Sequence, residues 1–213
     1  MSEFTYGTVV RSEHIDKIRK HAPKGLAAIL PLSEQWVGVF TSEDGEMGGP
    51  EEFLSALSSE CPALYFYNLE DHHWGYTLWN EGDMISSAHV SYEMPEELII
   101  KIAEERYPDQ DSTFFYFTDE GEAIFQQIRD ELAEGDHYAE ALRKHFETVY
   151  PEDFKLFGFD DETVEALRGL LTAESFLRGD ADVDTFKSLT GLEQFSWMRY
   201  ERMERYEEQV EYI

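Results

Sequence analysis

The sequence has one cysteine and no long apolar run. Cys61 alone excludes an intramolecular disulfide, which disfavours a disulfide-stapled secreted domain and indicates a small buried hydrophobe at that position. The apolar run 26–32 is too short to span a bilayer. The first residues have neither the basic nor the apolar segment of a signal peptide. We therefore expect a cytoplasmic protein that does not contact membranes.

Positive charge is also scarce. The chain has 17 Lys+Arg against 46 Asp+Glu, which gives a formal charge of -29. Such a charge repels phosphate backbones, so we expect no direct binding to nucleic acid. Aromatic residues make up 15% of the chain, and this apolar surface predicts a folded protein despite the charge.

The charge is unevenly distributed along the chain. Residues 25–100 contain 14 Asp and Glu and no Lys or Arg, whereas five of the basic residues lie within 11–24. The pattern at 12–22 predicts a short basic helix, with Ser12 as its cap and Ile15 and Ile18 facing inward. We expect this helix to lie beside the acidic region.

The apolar pattern predicts an α+β fold. A hairpin and a three-stranded meander form an antiparallel sheet with flanking helices, and the C-terminal half is mainly helical. We expect an α+β sheet domain over 1–110 and a helical region over 111–213 packed on it, or one continuous domain. The predicted strands of the hairpin and meander are 26–32, 35–41, 63–69, 74–79 and 85–92; 114–117 is a possible last strand, and 192–212 a terminal helix.

Aromatic side chains of the meander suggest a binding surface. If one face of the sheet packs on helices, aromatics on the other lie among acids, an arrangement suited to a basic protein partner. The alternative is that the C-terminal half covers this face. The candidate partner-binding residues are Trp74, Tyr76, Trp79, Tyr92, Glu70 and Asp71. Our leading hypothesis is a non-enzymatic acidic protein, immunity-like, antitoxin-like or regulatory, that binds such a partner.

Imidazoles and carboxylates cluster at one predicted turn. Asp71, His72 and His73 precede a strand whose hairpin register brings His89 close to His73. Consecutive histidines in a strand point to opposite faces, so both could bind one ion only within a turn. The alternatives to a macromolecular binder are thus a metal-dependent hydrolase at this cluster and, from the charge alone, a DNA-mimic inhibitor or adaptation to high salt. No other cofactor is expected, and the oligomeric state stays open.

Alternating acids at Asp180, Asp182 and Asp184 begin like a calcium-binding loop. Such a loop needs glycine at its sixth position and glutamate at its twelfth, where this chain has Thr185 and Gly191. We therefore predict that these aspartates cap a helix over 183–190.

Overall fold

The computed structural model describes residues 4–45, 47–69, 72–206 and 208–213. Seven antiparallel strands form one sheet in the order β6-β5-β4-β1-β3-β2-β7. The strands are β1 Thr5–Arg11, β2 Ala27–Pro31, β3 Trp36–Thr41, β4 Ala63–Asn68, β5 His73–Asn80, β6 Asp83–Ser91 and β7 Glu211–Tyr212. The predicted hairpin and meander, and the α+β class, are confirmed.

Helices occupy most of the rest of the described chain. The α-helices are α1 Ile15–His21, α2 Glu51–Ser58, α3 Met94–Arg106, α4 Ser112–Phe117, α5 Asp119–Ala133, α6 His137–His145, α7 Asp161–Leu170, α8 Ala173–Arg178 and α9 Val183–Thr190. Short 3-10 helices lie at Ser12–His14, Phe146–Thr148, Pro151–Phe157 and Tyr200–Tyr206. No helix in the described ranges is long and apolar enough to cross a membrane.

The chain divides into two compact units. One contains Met1–Val90 together with Thr148–Ile213, and the other contains Ser91–Glu147. This division differs from the boundary near residue 110 that we expected from the change in secondary structure. The sheet and the C-terminal helices belong to one unit, because the chain returns to the sheet after the four helices α3 to α6.

Both faces of the sheet are packed within the first unit. On one face, α1 and α2 cover a cluster that includes Tyr65 and Val39. On the other face, the C-terminal segments supply aromatic rings: Phe195 lies 5.6 Å from Phe40 between ring centroids. Alternation along each strand sends successive side chains to opposite faces, which is why both layers are apolar.

Two predicted elements are wrong. The run 114–117 lies in a helix, not a strand, because Asp111 accepts a hydrogen bond from the Phe114 backbone N–H at 2.9 Å and starts a helical turn. In a strand Phe115 and Phe117 would share a face, yet Phe115 is buried and Phe117 is 81% exposed.

The predicted terminal helix over 192–212 is replaced by loop, a 3-10 helix and strand β7. Trp197 has a left-handed backbone with φ of 62°, which interrupts any helix there. Residues 211–212 instead pair with Ala28 and Ile29 of β2. This pairing covers part of an edge strand whose backbone groups would otherwise need another partner.

Candidate functional sites

The aromatic surface expected on the meander is largely core. Trp74 and Tyr76 are 1% and 0% exposed. Phe186 of α9 covers both, with ring centroids 5.2 Å from Trp74 and 5.5 Å from Tyr76, and Phe154 lies 5.1 Å from Tyr76. The prediction that these two side chains face a partner is therefore wrong, because the C-terminal segments cover that face.

The other residues of the expected surface are scattered. Trp79 is half-buried, packs against the face covered by α1 and α2, and donates its indole N–H to Thr77 Oγ1 at 2.9 Å. Tyr92 is 60% exposed, at the start of the second unit. Glu70 and Asp71 lie outside the described residues. Trp79 and Tyr92 therefore belong to different units.

The predicted basic helix is α1, and it contacts Glu60, an acid of the stretch 25–100 that has no Lys or Arg. Glu60 accepts hydrogen bonds from Lys17 at 2.6 Å and from Lys20, and it lies 2.8 Å from His21 Nε2. Hydrogen bonding to Lys17, then to Lys20 and His21, holds the pKa of the Glu60 carboxyl well below its usual range. Ser12 does not cap this helix, since Ser12 lies within the preceding 3-10 turn and α1 starts after His14 without a side-chain cap.

Two histidines of the predicted metal cluster come together. His73 begins β5 and His89 lies near the end of β6, and their ring centroids are 5.1 Å apart. His89 Nδ1 lies 2.9 Å from the Tyr67 hydroxyl. His72 is exposed and precedes the strand. The structure thus brings together His73 and His89, as the hairpin register predicted, and adds Tyr67, which the sequence analysis missed.

Gly75 makes the approach of Tyr67 possible. A Cβ at this position would overlap both the Tyr67 hydroxyl and the Ala88 carbonyl. Because glycine has no side chain, Tyr67 can cross β5 and reach His89 on the next strand.

The aspartates after Gly179 are structural. Asp182 accepts a hydrogen bond from the Thr185 backbone N–H at 2.9 Å and so caps α9, which ends at Gly191 in a left-handed conformation. Asp180 pairs with Arg178 at 2.7 Å. The predicted capping role of Asp182 is confirmed, and these contacts give Asp180 and Asp182 structural roles.

The glycine-containing loop after β3 is held by a buried carboxyl group. Asp44 accepts hydrogen bonds from the Thr41 backbone N–H at 2.7 Å and from the Thr41 hydroxyl at 2.9 Å. Burial raises the pKa of Asp44 to about 7. The Tyr65 hydroxyl donates to the Gly45 carbonyl at 2.6 Å, so this hydrogen bond connects the loop to the sheet.

Burial also raises the pKa of Cys61, to about 11, which makes this thiol a poor nucleophile.

A groove of about 530 Å³ lies beside Arg11 in the first unit. The Arg11 side chain donates to the Phe157 carbonyl at 2.6 Å and to Gln35 Oε1 at 2.9 Å, and it lies 4.4 Å above the Trp36 ring. These contacts give the guanidinium a structural role, since they join β1, β3 and the 3-10 helix that ends at Phe157.

The second unit has three exposed aromatic side chains in a segment that is rich in acids. We call Tyr107, Tyr116 and Phe117 the aromatic patch; they are 38%, 56% and 81% exposed. Residues 107–128 contain five acids and no Lys or Arg. The flanking cations are engaged in ion pairs: Arg106 with Glu131 at 2.7 Å and Arg129 with Glu96 at 2.9 Å.

The corner between α4 and α5 orders the chain on both sides of Thr118, next to Tyr116 and Phe117. Thr118 caps α5 by accepting from the Gly121 N–H at 3.0 Å, and its hydroxyl donates to the Phe114 carbonyl at 2.8 Å. A Cβ at Gly121 would overlap the Phe114 carbonyl, so the two helices meet closely only because this residue is glycine. Tyr116 packs edge-on against Phe125 with ring centroids 5.4 Å apart.

The sequence contained a signal for this patch that the analysis missed. Four consecutive aromatics, 114–117, stand between acids, and one turn of helix cannot turn four adjacent side chains to the same side. At least one of them therefore has to face away from the core.

No family model, no curated protein and no solved structure matches this chain.

Proposed function

We propose that this protein is a non-enzymatic binding protein whose partner is a protein with a basic surface, and that the partner docks on the aromatic patch. The observation that carries the proposal is the 81% exposure of Phe117 within a segment that has five acids and no Lys or Arg. Large exposed aromatics have a cost in water that contact with a partner removes.

The aromatic side chains would supply the contact energy. Fully burying a phenylalanine is worth about 1.5–3 kcal/mol, and Phe117 has most of that burial still to gain. Tyr116 adds a ring with a polar hydroxyl, which suits a contact that is apolar at its centre and wet at its rim. Because the corner at Thr118 and Gly121 is already ordered, docking would lose little backbone entropy.

The acids would speed association and select the partner. Asp119, Glu120 and Glu122 in the first turn of α5 are exposed and lie two to five residues after Phe117. Carboxylates that surround an apolar anchor attract a cationic surface and repel an anionic one. Since Arg106 and Arg129 are paired with acids, neither offsets this local field strongly.

A binding experiment with matched variants tests the aromatic part. Immobilised wild-type protein, a Tyr116→Ala/Phe117→Ala variant and a Tyr150→Ala control are exposed to host lysate at about 50 mM and 500 mM salt. Tyr150 is a fair control because it is 52% exposed but lies in the other unit. We expect a basic protein that wild type and control retain at low salt, that high salt weakens, and that the double variant loses.

The same experiment can refute the proposal. Retention of every bound protein by the double variant would rule out the aromatic patch as the docking surface. Absence of any protein that salt removes would rule out a basic partner altogether. A retained DNA-binding protein that added DNA displaces, and that the double variant still holds, would instead favour DNA mimicry.

Neutralising the acids separates local from overall charge. Asp119→Asn, Glu120→Gln and Glu122→Gln together change the formal charge from -29 to -26, and so do Glu34→Gln, Glu193→Gln and Glu208→Gln, which are exposed in the other unit. We expect the first set to slow association with the captured partner several-fold and the second set to leave it nearly unchanged. Equal effects would mean that only the overall charge matters.

A further inference from the structure

We propose that His73 and His89 form a binding site for a divalent transition-metal ion such as Zn²⁺, Ni²⁺ or Cu²⁺. One nitrogen of each imidazole lies within 4.8 Å of a nitrogen of the other. At a tetrahedral ion with bonds of about 2.1 Å the two nitrogens lie about 3.4 Å apart, so binding would require them to approach by at most about 1.4 Å. Imidazole nitrogen is a ligand that all three ions bind well.

The two histidines come from neighbouring strands of a rigid sheet. His73 is the first residue of β5 and His89 is near the end of β6, and both side chains are half-buried. Side chains that are already held in place lose less entropy when they bind an ion than side chains on a mobile loop. Water would complete the coordination, as it does at other open sites.

Tyr67 orients one of the ligands. Its hydroxyl lies 2.9 Å from Nδ1 of His89, so a metal would bind at the other ring nitrogen, Nε2. A hydrogen bond of this kind to the second nitrogen is the usual support of a metal-bound histidine and fixes its tautomer. Gly75 leaves the space through which Tyr67 reaches His89, so the local sequence of β5 is suited to this arrangement.

The charge of the protein favours a cation. At a formal charge of -29 the surrounding potential raises the local concentration of positive ions. The site lies in the first unit, whereas the aromatic patch lies in the second. Failure of one proposal therefore leaves the other standing.

Titration of chelator-treated full-length protein with ZnCl₂ tests the site. Binding is measured by calorimetry, and thermal unfolding is followed with and without the ion, since an ion that binds only the folded chain raises Tm. We expect wild type and a His72→Ala control to bind one ion and to gain in Tm. We expect His73→Ala and His89→Ala each to weaken binding at least tenfold. Tyr67→Phe should weaken it about tenfold or more.

Circular dichroism establishes that each variant is folded. If an alanine variant does not fold, the imidazole proton signals of wild type and of the His72→Ala control decide instead: sub-stoichiometric Cu²⁺ should broaden two of them strongly. Absence of ion binding in wild type would overturn the proposal. So would loss of binding in His72→Ala together with its retention in folded His73→Ala and His89→Ala.

Discussion

Replacing Phe186 with alanine tests whether the C-terminal helices belong to the core of the sheet. The Phe186 ring is fully buried in α9 and lies 5.8 Å from Phe66, 5.2 Å from Trp74 and 5.5 Å from Tyr76 between ring centroids. It stacks nearly parallel to Phe66 and Tyr76, at 6° and 8°. One side chain thus joins a helix near the C-terminus to two strands of the meander.

The expected loss follows from this packing. Truncating a buried phenylalanine to alanine costs about 3–5 kcal/mol through lost transfer energy and the remaining cavity. Each aromatic pair is worth about 0.5–1.5 kcal/mol beyond its buried area. Because several rings surround Phe186, we expect about 4 kcal/mol, which corresponds to a fall in Tm of about 8–16 °C for a chain of this length.

Tryptophan fluorescence during urea denaturation is a suitable assay. The four tryptophans, Trp36, Trp74, Trp79 and Trp197, all lie in the first unit, so their signal reports the unfolding of that unit. The free energy of unfolding is taken from the midpoint and slope of each normalised transition. Leu177→Ala is the matched control, since this leucine lies in the same unit and is 48% exposed, so its truncation should cost much less than that of Phe186.

Phe186→Leu adds a graded test, because leucine fills much of the space and should recover part of the loss. A cost below about 1 kcal/mol for Phe186→Ala, with an unchanged slope, would refute the assignment of the C-terminal helices to the core. A large and equal loss in Leu177→Ala would also refute it, since burial would then not determine the cost.

Three further predictions concern pH and backbone space. Hydrogen bonds from Lys17, Lys20 and His21 lower the pKa of Glu60 in the folded protein. Ionised Glu60 therefore stabilises the fold above its unfolded pKa of about 4.3, and this stabilisation is lost as the pH falls below that value. Glu60→Gln should remove this acid dependence from the free energy of unfolding, measured by denaturation between about pH 7 and 3. Burial raises the pKa of Asp44 to about 7, so stability should fall as pH rises from about 4 to 7, and Asp44→Asn should flatten that slope. Gly75→Ala should lower Tm and displace Tyr67, an effect that a control substitution at the open position Gly169 should not show in thermal melts.

Local sequence chemistry was sufficient to predict much of the fold. Alternation over 63–92 predicted the meander, and Asp182 caps the helix that it was expected to begin. Capping and strand alternation depend on residues close together in sequence, so predicting them does not require knowledge of how distant segments pack.

The cover of the sheet could not be predicted in the same way. Alternation shows that Trp74 and Tyr76 share a face, but it does not show what packs on that face. The answer depends on Phe154 and Phe186, which are far away in the chain. The prediction of a strand at 114–117 is wrong for another reason. Four adjacent aromatics show neither helical nor strand periodicity, so the apolar pattern does not distinguish the two, and the capping contact of Asp111 favours the helix.

The two proposed sites differ in what their prediction required. The proximity of His73 to His89 follows from hairpin register, which connects residues close in sequence. The aromatic patch depends on which of several apolar side chains the core leaves out, and that depends on packing between α4 and α5, which meet closely at Gly121.

Net charge is a weak guide to the binding surface because salt limits the reach of each exposed charge. At physiological salt the field of exposed carboxylates decays over about 8 Å, so acids far from Phe117 contribute little to contacts there. Residues 25–100, which contain 14 acids and no Lys or Arg, led to the prediction of a binding surface on the sheet. The aromatics Trp74 and Tyr76 are buried there, however, and Glu60 is paired with Lys17. Where acids stand beside exposed rings, as at residues 116–122, charge and apolar contact can act on the same partner. The coincidence of the two, more than the total of -29, is therefore the property by which a docking surface on this protein should be sought.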